Sequence, residues 1–140
     1  MKNFTIIPPI RGNDVHGGGA YLASRGSRKH NGIDLACMEG SKVLAVSKGK
    51  VTKIGYPYNP SDSEKGHLRY VEIKDDNGYK VRYFYVSPSI WVNTLVREGM
   101  VIGEAQGLTE IYKGITDHIH TEVKDPNGDF IDPEEYLKLI

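Results

Sequence analysis

The chain has 140 residues, and its 18 Lys and Arg residues balance its 18 Asp and Glu residues. A balanced charge lacks the basic excess that nucleic-acid-binding proteins use to attract phosphate backbones, so we predict no nucleic-acid partner. No apolar run approaches the roughly 18 residues that a membrane-spanning helix needs, so we predict no membrane span.

The length is typical of one domain, and we predict a single domain over residues 1–140 with an irregular N-terminal segment at residues 1–29. The opening sequence MKNFTIIPPIRGND lacks the apolar core of a secretory signal peptide, so no export signal of that kind is expected. Cys37 is the single cysteine, which excludes an internal disulfide bond.

Short segments rich in Val, Ile and Tyr follow, separated by Gly, Pro, Asn and Asp, a pattern typical of an all-β sandwich or barrel. KVLAVSKGKVTKIGY (42–56) predicts two strands around a turn at Lys48-Gly49. LRYVEIKDDNGYKVRYFYVS (68–87) predicts a hairpin that turns at Asn77-Gly78. GMVIGEA (99–105) and HIHTEVKDPNGDFI (118–131) add further strands.

The C-terminal sequence IDPEEYLKLI (131–140) predicts a short helix. Asp132 suits the N-cap and Pro133 the first helical position, where its missing N–H is not needed. Glu134 and Glu135 then lie where the helix dipole favours negative charge. The sequence therefore predicts an all-β domain that ends in one helix.

Two short motifs, HNGID (30–34) and HIH (118–120), bring together residues that bind metals. Side chains alternate between the faces of a strand, so His118 and His120 share one face. In an extended strand His30 and Asp34 would lie roughly 13 Å apart, too far to bind one ion. The chain must therefore turn at Asn31-Gly32 if both residues bind the same metal.

His30, Asp34 and either histidine of HIH would make a set of three nitrogen and oxygen ligands. Catalytic zinc sites keep three protein ligands and leave a fourth position for water, which zinc makes acidic enough to act as a nucleophile. The histidine that does not bind zinc would then act as a general base. If both histidines bound zinc, the site would be closed and structural.

The pattern H-x-x-x-D followed far downstream by H-x-H resembles that of the lysostaphin-type zinc endopeptidases, which cut peptide cross-links in bacterial peptidoglycan. Two longer segments also resemble that family, namely GIDLACMEGSKVLAVSKGKVTKIG and VREGMVIGEAQG. The likeness therefore covers residues 20–137. It implies a two-layer antiparallel β-sandwich-like domain with the site in a groove between loops. It also implies one Zn²⁺ bound by His30, Asp34 and His120, with His118 as the catalytic base.

One position departs from the family pattern, because Tyr85 in YFYVS (83–87) stands where the family usually has a further catalytic histidine. A phenol can donate a hydrogen bond to an oxyanion, although it cannot carry a positive charge. The chain also resembles the non-enzymatic leukocyte cell-derived chemotaxin branch, which has the same tyrosine and keeps the zinc site. That likeness lies in five segments, HGGGAY, HNGID, FYV, HIH and DPEEYL.

Several further residues are candidates for binding substrate. We predict that Tyr21 and Arg25 contact the substrate. Tyr21 would donate a hydrogen bond, and Arg25 would bind a carboxylate of the substrate. Trp91 and the tyrosines Tyr56, Tyr58 and Tyr112 either line a binding surface or pack in the core and at sheet edges.

The sequence thus predicts a zinc-dependent peptidoglycan endopeptidase with zinc-bound water as nucleophile, His118 as base and Tyr85 as oxyanion donor. The alternative is an inactive zinc-containing binding or structural module. The expected partner is a peptidoglycan peptide at the bacterial cell wall. A phage virion or tail component, delivered with other virion proteins or released on lysis, would reach the wall without a signal peptide.

Overall fold

Antiparallel strands dominate the computed structural model, which describes residues 19–20, 24–25, 28–29 and 31–140. The described residues form twelve strands and one helix. They are β1 (Ser24–Arg25), β2 (Arg28–Lys29), β3 (Ile33–Ala36), β4 (Lys42–Leu44), β5 (Gly49–Gly55), β6 (Tyr70–Asp75), β7 (Lys80–Phe84), β8 (Val86–Pro88), β9 (Leu95–Val96), β10 (Val101–Ala105), β11 (His118–Lys124), β12 (Phe130–Ile131) and α1 (Pro133–Leu139).

The main strands belong to two sheets. The larger sheet has seven strands in the order β12-β11-β7-β6-β5-β9, with β3 paired to β11 as well, and the smaller has the order β4-β10-β8. All of these pairings are antiparallel. Strands β1 and β2 form a separate two-stranded ladder inside residues 1–29, the segment that the sequence predicts to be irregular.

Apolar side chains from both sheets meet in one core. The larger sheet contributes Val51, Val71, Ile73, Val81, Ile119 and Val123, and the smaller sheet contributes Val43, Val86, Ile102 and Ala105. Burial of such side chains is the main force that holds the two layers together. The prediction of an antiparallel all-β fold with a short C-terminal helix is confirmed.

The hairpin predicted at residues 68–87 is formed by β6 and β7, and Gly78 adopts the positive φ of 92° that its turn requires. The two strands predicted around Lys48-Gly49 also exist. They do not form a hairpin with each other, because β4 belongs to the smaller sheet and β5 to the larger. The chain crosses between the layers there, so that both strands bury their valines in the shared core.

The C-terminal helix begins as the sequence predicts, because the Asp132 side chain accepts a hydrogen bond of 2.9 Å from the Glu134 backbone N–H. Its buried Tyr136 donates a 2.6 Å hydrogen bond to the Asp75 carboxylate at the end of β6. The contact between Tyr136 and Asp75 holds the helix against the end of β6. The described residues contain no helix with the length and apolar character that crossing a membrane requires.

The chain changes sheets at Tyr85, the residue between β7 in the larger sheet and β8 in the smaller. Tyr85 has a φ of 70°, which is unusual for a bulky residue and carries a conformational cost. Its N–H donates to the Arg69 carbonyl at 2.8 Å, and its carbonyl accepts from the Gln106 N–H at 2.8 Å. The backbone on both sides of Tyr85 is therefore fixed, which sets the direction of the side chain.

Candidate metal and catalytic site

The pairing of β3 with β11 brings the two predicted motifs together. In this ladder Asp34 lies opposite His120, and Ala36 lies opposite His118. The chain bends at Asn31 and Gly32 just before β3, where the sequence predicts a turn. A Cβ atom on Gly32 would lie only 2.1 Å from the backbone oxygen of Thr121, so the close approach of the two strands requires glycine.

His120 lies between two carboxylates. Its Nδ1 is 2.8 Å from Asp34 Oδ1, and its Nε2 is 2.9 Å from Glu122 Oε1. Burial alone would lower the pKa of His120, but the hydrogen bonds to Asp34 and Glu122 outweigh that effect and raise it. Each ring nitrogen of His120 thus faces a carboxylate oxygen.

His118 is held in one tautomer. Its Nδ1 lies 2.7 Å from the Thr116 carbonyl oxygen, which can only accept a hydrogen bond, so Nδ1 carries a proton. In the neutral ring the lone pair is then on Nε2, which lies 3.6 Å from Asp34 Oδ2. Both side chains are buried, so the orientation of the ring is well defined. A histidine in this state can accept a proton at Nε2.

Tyr85 contacts the ring of His118 edge-on, with centroids 5.7 Å apart and an interplanar angle of 83°. Burial, followed by interactions with Tyr58, Tyr112 and Asp34, raises the pKa of Tyr85 far above its ordinary value. The phenol therefore stays protonated and remains a hydrogen-bond donor at every pH at which the protein would work.

The structure thus brings together four of the residues that the sequence singles out, namely Asp34, His118, His120 and Tyr85. His30 and Tyr21 lie outside the described residues. Arg25 lies in β1, and its side chain is also outside the described part. Within the residues that are described, no group of three or more His, Cys, Asp and Glu side chains is arranged to hold a metal ion.

The chemistry of the donor set nevertheless fits zinc. Asp34 and the His120 nitrogen that faces it are ligand types that zinc prefers, and they lie side by side, with Asp34 buried and His120 half-buried. The second nitrogen of His120 donates to Glu122, as metal-ligating histidines usually donate to a carboxylate. Asp34 and His120 would therefore hold the zinc, and Glu122 would orient the His120 ring.

Glu122 is the residue of this site that the sequence interpretation misses. It lies two positions after His120 in β11, so the alternation that places His118 and His120 on one face places Glu122 there as well. The same alternation could have identified it from the sequence.

The aromatic candidates divide into two groups. Trp91 is exposed to 76% and Tyr56 to 46%, so core packing does not explain either of them. Tyr58 and Tyr112 are half-buried, and their hydroxyls lie 3.1 Å apart. Because Tyr58 and Tyr112 both act electrostatically on Tyr85 and raise its pKa, the second pair lies beside the site.

Comparison with known proteins identifies the family of this chain. The model for peptidase family M23 matches residues 28–133, which include both predicted motifs. The chain belongs to peptidase family M23. The family predicted from the HNGID and HIH motifs is thereby confirmed, and peptidases of family M23 are typically zinc-dependent.

The proteins that this M23 chain resembles include a chemotaxin and peptidases. Leukocyte cell-derived chemotaxin-2 of Bos taurus is 33% identical over 128 residues, covering 91% of this chain and 79% of its own. The catalytic domain of the antimicrobial peptidase lysostaphin from Staphylococcus simulans shares the fold, with a TM-score of 0.64 and 22% identity, covering 89% of this chain and 91% of that domain. A zinc-containing peptidase from Vibrio cholerae has a TM-score of 0.61 and 23% identity, covering 90% of this chain and 37% of its own. M23 membership supports a metallopeptidase in general.

Proposed function

We propose that this M23 chain is a zinc-dependent endopeptidase that hydrolyses peptide bonds in the cross-links of bacterial peptidoglycan. The observation that carries the proposal is the arrangement of Asp34, His118 and His120 on paired strands. One histidine is engaged with the predicted ligand Asp34, while the other is held in the tautomer of a base. The bacterial cell wall is the place of action that fits this substrate.

In the proposed site His30, Asp34 and His120 would hold the metal. Zinc bound there would supply an acidic water and polarise the scissile carbonyl. His118 accepts a proton at Nε2, because Thr116 fixes the proton of the ring on Nδ1. Tyr85 donates a hydrogen bond to the oxygen that becomes negative in the transition state.

The role of Tyr85 follows from its environment. Its raised pKa keeps the proton on the phenol, and its fixed backbone directs the ring towards His118. A neutral donor stabilises developing charge less than a cation would, so turnover slower than that of a site with a histidine here is expected. The cost of the left-handed backbone also favours a functional role, since such strain is concentrated at active sites.

Glu122→Ala is expected to weaken zinc binding by about 10- to 100-fold, because it removes the carboxylate that orients His120. The zinc affinity is measured by competition with a chromogenic chelator. Glu110→Ala, at an exposed carboxylate, is the matched control and should keep the wild-type affinity. Equal affinities for the two variants would show that Glu122 does not support the metal.

The competing function is a zinc-containing binding or structural module without turnover. The similarity to the bovine chemotaxin and the tyrosine at position 85 favour it. In that case zinc would stabilise the fold, and purified protein would bind cell walls and leave them intact.

Digestion of purified cell walls separates the two functions. The zinc-loaded protein is expected to release cross-link peptides that mass spectrometry detects, and a chelator should stop the release. Tyr85→Phe, which removes only the donor, should reduce the rate by about 10²–10³-fold. Wall binding with no zinc-dependent release from the wild-type protein would contradict the endopeptidase and support the binding module.

A further inference from the structure

Four lysines form a continuous row across the larger sheet, and we call them the lysine row. Lys50 lies opposite Lys74 in the ladder of β5 and β6, Lys74 opposite Lys80 in that of β6 and β7, and Lys80 opposite Lys124 in that of β7 and β11. Residues that lie opposite each other in an antiparallel ladder share one face of the sheet. Neighbouring strands are about 4.8 Å apart, so the row places four cationic side chains on one face over about 14 Å.

The lysine row lies on the face of the sheet that points away from the core. Because side chains alternate along a strand, the row is directed outwards where the next residues of the same strands are buried, namely Val51, Ile73, Val81 and Val123. Three of the lysines are exposed, and Lys124 is half-buried beside Phe130 of β12, whose ring centroid lies 4.8 Å from the Lys124 ammonium nitrogen. Most of the row is therefore open to a partner.

The fold itself does not explain the lysine row. Like charges that lie directly opposite each other destabilise a sheet. Lysines often protect the exposed edges of sheets, but β5, β6, β7 and β11 each have a neighbouring strand on both sides. Among the residues that the structure describes, the four ammonium groups form no ion pair with a carboxylate. An anionic partner would offset the repulsion that the fold leaves in place.

The acidic side chains next to the row on the same face already have partners. Glu72 Oε2 lies 2.6 Å from Arg82 Nε, and Glu122 Oε1 lies 2.9 Å from His120 Nε2. These contacts hold both carboxylates beside other cationic or hydrogen-bonding groups. The positive charge of the row is therefore left for an external anion.

A cleft of about 840 Å³ continues the positive surface beyond Lys50. Lys48 and Arg97 add two cations to its lining. Of its two carboxylates, Asp75 is buried and hydrogen-bonded to α1, and Asp76 forms an ion pair of 3.3 Å with Lys48. That pair is exposed, and exposed ion pairs are weak, so an anion can compete for Lys48.

The kind of cation and its arrangement indicate the chemistry of the partner. Bidentate recognition of a carboxylate favours arginine, whereas lysine binds phosphate groups as a point charge. Equal charges along a line fit a linear polymer with a phosphate in each repeat better than a single ion. Lys124 and His120 also share one face of β11, four residues or roughly 13 Å apart. A polymer on the row would therefore lie beside the proposed catalytic site.

We propose that the lysine row binds a linear phosphodiester polymer with a polyol repeat, attached to the bacterial cell wall, and so holds the protein on its substrate. The choice of this polymer rests on the proposed endopeptidase function, which acts at the wall. The row adds a binding surface that the HNGID and HIH motifs do not include.

Binding of poly(glycerol phosphate) tests the proposal, because it requires no turnover. We expect the wild-type protein to bind, with an affinity that falls as salt rises because counterions are released. Lys74→Gln/Lys80→Gln should lower the affinity by about 3- to 30-fold, the value of two exposed ion pairs. The slope of log affinity against log salt concentration should decrease by about 0.7 for each lysine removed. The affinity is measured by fluorescence anisotropy of the labelled polymer at several salt concentrations.

Lys42→Gln/Lys113→Gln is the matched control, since both lysines are exposed and lie outside the larger sheet. It changes the net charge by the same amount and should keep the wild-type affinity and salt slope. Unfolding by urea separates binding from a structural role. Lys74→Gln/Lys80→Gln should be at least as stable as the wild type, because it removes like charges that face each other. A clear loss of stability would show that the row supports the fold and would overturn the proposal.

The remaining outcomes distinguish this inference from the proposed function. A wild-type protein that does not bind the polymer, or an equal loss of affinity in the two double variants, overturns the lysine row as a binding surface. Tighter binding of single-stranded DNA with the same number of phosphates would assign the row to nucleic acid and also overturn the proposal. So would inorganic phosphate that displaces the polymer at equal phosphate concentration, since the site would then take a single anion. A wild type that binds the polymer but leaves cell walls uncut contradicts the endopeptidase alone.

Discussion

His120→Ala is expected to remove both bound zinc and peptide release, whereas His118→Ala is expected to remove the release alone. His120 presents Nδ1 to Asp34, so its loss leaves the metal without one of its proposed ligands. In the proposed mechanism His118 acts only on the proton, and loss of a general base typically costs about 10²–10⁴-fold in rate. Zinc content is measured by mass spectrometry of the purified variants, and peptide release by wall digestion.

The comparison includes His67→Ala, which removes an exposed histidine and should leave both quantities unchanged. Loss of zinc from His118→Ala would identify His118 as a ligand and favour the closed, structural site. Retention of zinc by His120→Ala at the wild-type level would remove His120 from the ligand set.

Gly32→Ala is expected to destabilise the fold by about 3 kcal/mol, the upper part of the usual range for overpacking. The added Cβ would lie 2.1 Å from the Thr121 backbone oxygen, and a backbone atom in a paired strand cannot move aside independently. The strands β3 and β11 would have to separate, and Asp34 would move away from His120. The free energy of unfolding is measured by urea denaturation.

Gly107→Ala is a matched control for this substitution. Its Cβ would also meet an atom closely, Glu39 Oε1 at 2.0 Å, but that atom is the end of an exposed side chain that can rotate away. Gly107→Ala should therefore change stability little. Equal stabilities for the two variants would contradict the close approach of β3 and β11.

Local patterns account for much of what the sequence predicts correctly. The alternation of side chains in β11 places His118 and His120 on one face, and Asp132 caps α1 through a contact between neighbouring residues. The Asn77-Gly78 turn forms the predicted hairpin because Gly78 tolerates a positive φ. Each of these features depends on interactions within a few residues along the chain.

Features that depend on residues far apart in the chain cannot be predicted from local sequence patterns. The separation of β4 and β5 into different sheets is decided by which strands bury their apolar faces together. The hydrogen bond between Tyr58 and Tyr112 joins segments far apart in sequence, and no local pattern sets its distance. Glu122 is the exception, since its position in β11 follows from alternation alone.

The left-handed backbone at Tyr85 has a consequence for how members of this family can diverge. Histidine is among the residues enriched in that conformation, so histidine and tyrosine can occupy the same fixed backbone position. Exchange between them would leave the path of the chain between the two sheets unchanged. It would alter only whether the group beside His118 can carry a positive charge. A gain or loss of catalytic power could therefore occur by a single substitution, without any change of fold.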